Sequence, residues 1–341
     1  MNITHMHSGG QTEKRKGEHV DIVLQHRVET TVSNGFESVR FVHQALPELD
    51  YAKIKLSTSF LGRKLSAPFM VTGMTGGYPD AQKINTDIAS ACADEDIVFA
   101  VGSQRAMLED KSQAKTYAVK KAAPSVFLCG NIGAFQLKRY SPKQIQAGLV
   151  DAIDADALCV HLNPMQEAVQ PEGDTDWSGV LEKISVLCGA LSVPVIAKEV
   201  GGGISGTVAK ELKKAGVAAI DVSGVGGTSW SAVEHFRNGR SGDVFWNWGI
   251  PTAEALKQCA KAVQLPLIAS GGIRSGLDAA KAIRLGATLA GAASPFLKAQ
   301  SRGGKTGVQK KIQAFKHELR TAMLLTRSKD LAALRKAELL P

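Results

Sequence analysis

Eight short apolar runs alternate with eight longer segments of helical spacing, and this repeat constrains the fold more than any other feature. The runs cover residues 68–73, 97–102, 125–131, 156–163, 194–200, 218–224, 266–272 and 287–294. The predicted helices cover residues 81–94, 111–122, 142–153, 177–191, 207–215, 252–263, 277–285 and 307–325. Eight strand–helix repeats are typical of a (β/α)8 TIM barrel. An open doubly wound sheet is the alternative, but such sheets usually have about five to seven strands.

The chain is predicted to form one domain, because no Pro/Ser-rich linker divides it. Residues 1–66 are expected to form an N-terminal extension, and residues 67–341 the barrel with its C-terminal helices. Within the extension, residues 21–64 contain short β-like stretches and turn signals at Asn34-Gly35 and Leu61-Gly62. A small β-hairpin that closes one end of the barrel is the simplest interpretation.

Composition narrows the class of protein. Of the 341 residues 44% are hydrophobic but only 6% are aromatic, which favours Ala, Val, Leu and Ile packed around buried parallel strands. An all-β sandwich and a disordered chain are both disfavoured. The five cysteines form no CxxC pair, which is typical of the reducing cytoplasm. No apolar run resembles a signal peptide or a membrane span, so a cytoplasmic location is expected.

The net charge of +9 raises the question of a nucleic-acid partner. Residues 301–341 contain ten Lys and Arg but three acidic residues, so this segment carries +7 of the +9. A solvated helix face is the simplest interpretation, with a polyanion patch or an oligomer contact as alternatives. Because only Phe315 could stack on a base there, nucleic-acid binding is disfavoured.

Polar residues collect where the predicted strands end. In a (β/α)8 barrel the carboxyl ends of the strands surround the active-site mouth, so these side chains are expected to meet there. The residues are Gly73, Met74, Thr75, Ser103, Gln104, Arg105, Asn131, His161, Asn163, Lys198, Ser223, Gly271, Gly272, Arg274, Ala293 and Ser294.

The fourth run shows the alternation of side chains most clearly. Leu158 and Val160 are expected to face the helices, while Cys159, His161 and Asn163 face the barrel axis. A core histidine bonded to the backbone is the alternative for His161. The polar residues that follow it favour the mouth of the barrel.

Lys198 ends an otherwise apolar run, where an unpaired ammonium is costly. It could form a Schiff base, hold an anionic cofactor, or pair with Glu199 or Asp221. The residues alone leave these three interpretations open.

Two glycine-rich segments follow later strands. The segment GGIRSG at 271–276 has the position at which barrels bind phosphate through backbone N–H groups and a helix N-terminus. The segment GVGGTSW at 224–230 lacks the spacing of a dinucleotide fingerprint and has no clear helix start behind it.

Charged residues near the mouth predict a second ligand. In RKGEH, Arg15, Lys16 and His19 form either a solvated charge run or, if the leader folds over the mouth, part of a basic pocket for a phosphate-bearing ligand. Glu167, with Asp174 and Asp176 nearby, could offer oxygen ligands to a magnesium ion shared with diphosphate.

Ten motifs occur in a recognisable order: RKGEH (15–19), MTGG (74–77), VGSQR (101–105), NIGA (131–134), HLNPMQE (161–167), QPEGD (170–174), IAKEVGGGIS (196–205), DVSGVGGTSW (221–230), WGIPT (248–252) and SGGIRSG (270–276). Together they resemble the type 2 isopentenyl-diphosphate isomerases. The resemblance runs from about Arg15 to the final helices and so covers nearly the whole chain.

The resemblance implies an FMN-dependent barrel that interconverts isopentenyl and dimethylallyl diphosphate, with reduced FMN, NADPH as reductant, and Mg²⁺. It also implies a homo-oligomer, a tetramer or an octamer. The residues implied for FMN are Gly73, Met74, Thr75, Ser103, Asn131, Lys198, Ser223, Thr228, Gly271, Gly272, Ile273, Arg274, Ala293 and Ser294. Those implied for the substrate are Arg15, Lys16, His19, Ser103, Gln104, Arg105, His161, Asn163 and Gln166. Glu167 is implied for the metal, and Gln166, Glu167 and Lys198 for catalysis.

The implied reaction suits the polar residues of the predicted mouth. Moving a double bond by one carbon requires proton addition at one carbon and removal at another, through a cation-like state. None of these side chains is an evident strong acid, and a reduced flavin could supply and retrieve the proton. The alternative is an FMN barrel oxidoreductase of the hydroxy-acid oxidase or nucleotide dehydrogenase kind.

Overall fold

A closed barrel of eight parallel strands forms the centre of the computed structural model, which describes residues 11–239 and 242–341. Its strands are β3 (Phe69–Val71), β4 (Val98–Ala100), β5 (Phe127–Gly133), β6 (Ala157–Leu162), β7 (Val195–Glu199), β8 (Ala219–Asp221), β9 (Leu267–Ala269) and β10 (Leu289–Ala292). The last strand pairs with the first, with Ala290 beside Phe69. The predicted (β/α)8 barrel is therefore confirmed, and an open sheet is excluded.

Helices surround this barrel. They are α1 (Gln11–Gln25), α2 (Ala81–Asp94), α3 (Arg105–Glu109), α4 (Pro142–Ile145), α5 (Pro164–Val169), α6 (Val180–Ala190), α7 (Gly206–Lys214), α8 (Trp230–Asn238), α9 (Thr252–Ala262), α10 (Gly276–Arg284), α11 (Ser294–Leu325) and α12 (Leu331–Leu334). The predictions for α2, α6, α7, α9 and α10 are confirmed to within three residues at each end. These helices have a regular apolar stripe, and their ends lie where that stripe ends.

The helix predicted over 111–122 is wrong. The chain forms the short helix α3 and then 3-10 turns at Lys111–Thr116 and Val119–Lys121. Asp110 favours this break, because its side chain accepts a hydrogen bond from the Ser112 N–H and so competes with a continuous helix. The helix predicted over 142–153 is α-helical only at its start and continues as π and 3-10 turns.

Among the described residues, five helices were not predicted, namely α1, α3, α5, α8 and α12. The expectation of no helix behind GVGGTSW is wrong, since α8 begins at Trp230 and the Ser229 side chain caps it by accepting from the Ala232 N–H at 3.3 Å. The leader forms α1, although its residues are mostly polar. Its few apolar residues decide its place, because Val20 and Val23 pack against Tyr78 and Leu297 of the barrel.

The strand residues divide between an inner and an outer core as the alternation predicted. Cys159 lies inside the barrel, whereas Leu158 and Val160 belong to the core between strands and helices. The predicted hairpin consists of β1 (Thr58–Phe60) and β2 (Arg63–Leu65), joined at Leu61-Gly62. Phe60 and Leu65 pack on the inner core beside Phe127, the first residue of β5, so the hairpin closes the end opposite the mouth.

After α1, the extension crosses the mouth side near Glu29 and Asn34 and then runs along the C-terminal helices, where Tyr51 bonds His317. It forms no strand before β1 in the described residues. Asn34 holds it at the mouth side, since its Nδ2 donates to the Gly272 carbonyl at 2.8 Å and its Oδ1 accepts from the Phe36 N–H. The Asn34-Gly35 turn therefore ties the extension to the loop after β9.

The basic C-terminal segment is more than the solvated face expected of it. Helix α11 is interrupted at Gly303 and Gly304, and its second part packs between α2 and α10. Some of its cations form ion pairs at 2.7–2.8 Å, including Lys305 with Asp94 and Lys316 with Glu95. In the described part of the chain, no helix combines the length and apolar character needed to cross a bilayer.

Candidate active site

One cavity of about 580 Å³ lies at the carboxyl ends of the barrel strands, beneath α1. This volume falls within the roughly 300–1,000 Å³ of small-molecule sites. It brings together nearly all the residues proposed from the sequence: Arg15, Lys16, His19, Gly73, Met74, Thr75, Ser103, Arg105, Asn131, His161, Asn163, Gln166, Glu167, Lys198, Ser223, Thr228, Gly271, Gly272, Ile273, Arg274, Ala293 and Ser294.

Gln104, proposed as a substrate residue, is the exception, because it does not line the cavity. Its side chain is 0% exposed and lies behind the barrel wall. Its Oε1 accepts from the Asn131 N–H at 2.8 Å, and its Nε2 donates to the Leu149 carbonyl at 3.1 Å. Gln104 therefore joins β5 to the loop after β4. A polar residue at the end of a strand can have this role or bind a ligand, and the sequence does not distinguish the two.

His161 faces the cavity as a neutral imidazole. Asn131 Nδ2 donates to the Val101 carbonyl, so Asn131 Oδ1 faces His161 Nδ1 at 2.8 Å and Nδ1 carries the proton. Burial, with the charges of Lys198 and Lys16, lowers the pKa of His161 to about 3. His161 therefore offers the cavity a hydrogen-bond acceptor at Nε2 instead of a cation.

Lys198 pairs with Asp221, which was one of the three interpretations of this residue, and it also lines the cavity. Its Nζ lies 3.3 Å from Asp221 Oδ2 and donates to the Glu199 carbonyl at 2.6 Å. Asp221 Oδ1 in turn accepts from Ser270 Oγ at 2.6 Å. The ammonium is thus held at the end of β7 by the strand next to it, and it remains available to an anion above it.

The loops after β9 and β10 form a backbone cradle. Gly271 and Gly272 have φ values of +99° and +77°, and a Cβ on either would lie within 2.3 Å of the carbonyl oxygen of Gly224 or Gly226. Only glycine fits both the conformation and the space. Ser294 begins α11 at the same edge, so the Ser294 N–H at the start of a helix lies beside this cradle.

Glu167 lies at the opposite side of the cavity. Its Oε1 accepts from Asn163 Nδ2 at 2.8 Å, and its Oε2 accepts from Gln170 Nε2 at 2.7 Å and from the Asp174 N–H at 2.9 Å. A carboxylate has about four acceptor positions, so Oε1 keeps one for a ligand.

Asp174 and Asp176, considered from the sequence as further metal ligands, do not serve that purpose. Asp174 pairs with Arg139 at 2.7 Å and Asp176 with Lys138 at 2.6 Å, and both lie outside the cavity. In residues 11–239 and 242–341 there is no cluster of three or more metal-ligating side chains. A hard cation here would need oxygens from a ligand in addition to Glu167.

Helix α1 closes the mouth through a network of charged side chains. His19 Nε2 lies 3.0 Å from Glu234 Oε1 on α8, and Arg237 Nε donates to Glu234 Oε2 at 2.7 Å. Burial opposes ionisation of Glu234, but hydrogen bonds and charge from His19 and Arg237 lower its pKa to about 2. The leader therefore folds over the mouth, which agrees with the basic-pocket interpretation of RKGEH and not with a solvated charge run.

Several residues of the site were not found from the sequence. Glu234 lies behind the cavity wall on a helix that was not predicted, and it also accepts from Gln166 Nε2 at 3.3 Å. At the cradle end, Glu29 lies 3.3 Å from Lys298 and 4.0 Å from Arg274. The other cavity-lining cations there are Arg302 and Lys311, both in the segment read as solvated. The one sequence signal for these residues is that Ser294, Lys298 and Arg302 are spaced four apart, which places them on the same face of a helix.

Comparison with known proteins identifies the family. The chain is 46% identical to the isopentenyl-diphosphate delta-isomerase of Pyrococcus furiosus, over 97% of this chain and 87% of that protein. It is 49% identical to the enzyme of the same name from Synechococcus sp., over 95% of this chain and 94% of that protein. The chain belongs to the isopentenyl-diphosphate delta-isomerase family. Many of the residues that line this cavity lie in the ten motifs named above.

The chain is also similar to a second family and to solved barrel structures. A family model described as FMN-dependent dehydrogenase matches residues 161–340. A mandelate oxidase variant with benzaldehyde superposes with a TM-score of 0.68 at 20% identity, over 95% of this chain and 94% of that one. A mandelate oxidase with (S)-2-phenylpropionate gives 0.65 at 19% identity, over 96% of both chains. At such identities the likeness concerns the fold alone.

Proposed function

We propose that the protein interconverts isopentenyl and dimethylallyl diphosphate. The observation that carries this proposal is the union, in one cavity, of a glycine cradle after β9, Lys198 at the centre, and the cations of α1 at the far side. Such a cavity suits two phosphate-bearing ligands, one at each end. Membership of the isomerase family supports the choice of reaction.

FMN fits the cradle end. Gly271, Gly272, Ala293 and Ser294 would hold its phosphate through backbone N–H groups. Nearer the axis, Lys198 would balance negative charge on the reduced ring, and the Asn131 amide lines the wall. When bound, reduced FMN would supply a proton donor and acceptor beside an electron-rich ring, with no net redox change.

The side chains at the mouth would hold the diphosphate substrate. Arg15 and Arg105 each keep a carboxylate partner, Glu172 at 3.6 Å and Glu109 at 2.7 Å, and both still line the cavity. Asn163 and His19 line the same end. These groups would bind the polar end of the substrate and leave its alkene near the barrel axis.

Gln166 and Glu167 would act beside the alkene and the diphosphate. The Gln166 amide is oriented by Asn163 on its oxygen, at 3.2 Å, and by Glu234 on its nitrogen. It would orient the substrate or assist the second proton transfer. Glu167 would share a Mg²⁺ ion with diphosphate oxygens, because Mg²⁺ usually combines one or two carboxylates with phosphate ligands.

The proposal includes NADPH as the source of reducing equivalents for FMN. Reductant should be needed only to prepare the enzyme, since double-bond migration consumes none. This requirement separates the proposal from its alternative, an FMN-dependent oxidoreductase, which the family model at residues 161–340 favours. In the cysteine-dependent form of that alternative a reactive thiol is needed, whereas burial raises the pKa of Cys92, Cys188 and Cys259.

One experiment tests the function directly. The purified protein is loaded with FMN and incubated with labelled isopentenyl diphosphate, Mg²⁺ and a small amount of NADPH. We expect dimethylallyl diphosphate in large excess over the NADPH oxidised. NADPH consumption equal to product would support the oxidoreductase, and a protein that binds no FMN would contradict both.

We also propose that the protein is a cytoplasmic homo-oligomer, a tetramer or an octamer. Val244, Phe245 and Trp248 expose 76%, 41% and 66% of their surface within five residues, an apolar patch of the kind that often lies in interfaces. Light scattering of the purified protein would measure the assembly, and a monomeric mass would contradict it.

A further inference from the structure

Tyr117 lies directly behind the mouth of the cavity without facing it. Its side chain is 0% exposed and is not part of the cavity wall. Its Oη donates to the Ser103 carbonyl at 2.7 Å and accepts from Lys16 Nζ at 2.9 Å. The ring also lies against the ammonium, 5.5 Å from Nζ to its centroid. Tyr117 thus joins α1 to the loop after β4.

The hydrogen bonds of Lys16 leave one direction open. An ammonium has three N–H groups, of which one goes to the Ser103 carbonyl and one to Tyr117 Oη. Arg15 and Arg105 have carboxylate partners, but no carboxylate in the described residues lies within salt-bridge distance of Lys16. Since Lys16 lines the cavity, its third N–H is available to a ligand there.

The local sequence makes room for this arrangement. A Cβ on Gly76 would lie 2.0 Å from the Tyr117 ring. A Cβ on Gly77 would lie 2.9 Å from Tyr117 Oη and 3.2 Å from Lys16 Cδ. The two glycines after β3 therefore allow the phenol and the lysine stem to approach each other.

We propose that Tyr117 is a positioning residue that aims the third N–H of Lys16 at a phosphate oxygen of the substrate. This inference rests on the proposed function, because it deepens the recognition of the diphosphate. Tyr117 acts through Lys16 and does not touch the ligand. An ammonium already held by two acceptors loses little freedom when a third binds, so the preorganisation strengthens binding.

Burial shifts the pKa of both Tyr117 and Lys16. It raises the pKa of the Tyr117 phenol, which therefore keeps its proton for Ser103 and its lone pair for Lys16. It also lowers the pKa of Lys16 to about 7, helped by the charges of Arg15 and Arg105 and opposed by Glu109. An anionic ligand would supply the charge partner that the free site lacks.

The test uses Tyr117→Phe in the full-length, FMN-loaded protein, since phenylalanine keeps the ring between the two glycines. Calorimetric titration with inorganic diphosphate and Mg²⁺ should show about a tenfold rise in Kd, as expected for one hydrogen bond to a charged group. KM for isopentenyl diphosphate should rise by a similar factor, with kcat within about twofold of wild type. Tyr51→Phe is the matched control, because its Oη bonds His317 at 2.8 Å far from the cavity.

A double variant separates positioning from general support of the fold. If Tyr117 acts through Lys16, then Tyr117→Phe combined with Lys16→Met should bind diphosphate no more weakly than Lys16→Met alone. Additive losses, a fall confined to kcat, or an equal effect of Tyr51→Phe would overturn the proposal. Diphosphate titration requires no turnover, so an inactive protein that gave the expected pattern would contradict the proposed reaction and leave the role of Tyr117 supported.

Discussion

At the β9–β10 end of the cavity a backbone cradle lies beside cations of the barrel's own loop and of α11, whereas at the α1 end the charged side chains lie mainly on a helix brought in from outside the barrel. The first end is shaped by Gly271 and Gly272, whose conformations the barrel loops impose. The second depends on the ion pair of Arg15 with Glu172 in the loop after α5, and on the contact of His19 with Glu234 on α8. Backbone cradles are built with the barrel, while the α1 end forms only when α1 docks. The two ends should therefore respond differently to substitution.

The largest effect is expected from Gly271→Ala. A Cβ at this position would lie 2.0 Å from the Gly224 carbonyl, so the loops after β8 and β9 must separate. We expect FMN binding to fall at least a hundredfold and the free energy of unfolding to fall by roughly 2–4 kcal/mol. Visible absorbance and chemical denaturation measure both.

Gly62→Ala is the control for Gly271→Ala. Gly62 also has a positive φ, +84°, but nothing lies within 4 Å of its Cβ position. It should cost about 1 kcal/mol and leave FMN binding unchanged. If the two ends are independent, Gly271→Ala should still bind Mg²⁺-diphosphate, and a parallel loss would contradict the division of the cavity.

Lys198→Met tests the centre, where the two ends meet. Loss of the ammonium should weaken FMN binding about tenfold or more and leave Asp221 as a buried, uncompensated charge. Adding Asp221→Asn should recover stability without recovering FMN affinity. Lys120→Met, which removes an ion pair with Asp156 at 2.9 Å outside the cavity, should keep wild-type affinity. If Lys198→Met bound FMN as tightly as wild type, Lys198 would not be a cofactor-binding residue.

Glu167→Gln tests the metal at the α1 end. A neutral amide should raise the Mg²⁺ concentration needed for half-maximal activity about tenfold, with FMN absorbance unchanged. Asp174→Asn is the matched control, since that carboxylate pairs with Arg139 and should not affect the magnesium requirement. A larger effect of Asp174→Asn than of Glu167→Gln would assign the metal differently.

The smallest effect on the reaction is expected from Glu234→Gln, which weakens the docking of α1. We expect KM to rise a few-fold and the free energy of unfolding to fall by roughly 2 kcal/mol near neutral pH. Because the native pKa of Glu234 is lowered to about 2 from its ordinary 4.5, its stabilising contribution is complete above about pH 4.5 and is lost as pH falls towards 2.

Thermal unfolding of wild type and Glu234→Gln from pH 2 to 7 measures this dependence. The two midpoints should converge towards the acid end of the range. Glu211→Gln, at an exposed position on α7, should match wild type throughout. A difference between wild type and Glu234→Gln that did not change with pH would show that the charge of Glu234 does not hold α1.

The barrel could be predicted from the sequence because its strands are buried almost throughout and its main helices have one apolar face. The rule that the active site of a barrel lies at the carboxyl ends of its strands then predicted most of the residues that line the cavity, including His161, Lys198 and Gly271. It failed at Gln104, because a polar strand-end residue can bond inward to the wall as well as outward to a ligand. It also could not find Glu234, whose helix has a mixed composition.

The sequence by itself determined the eightfold repeat, the turns and the positions that require glycine, since these depend on local spacing and backbone conformation. Only the tertiary structure decided that α1 covers the mouth, that Tyr117 meets Lys16, and that Asp174 and Asp176 are occupied by Arg139 and Lys138. Each of these is a contact between residues more than thirty positions apart. Charges attract any opposite charge within reach, so their partners are set by where the packed barrel brings them.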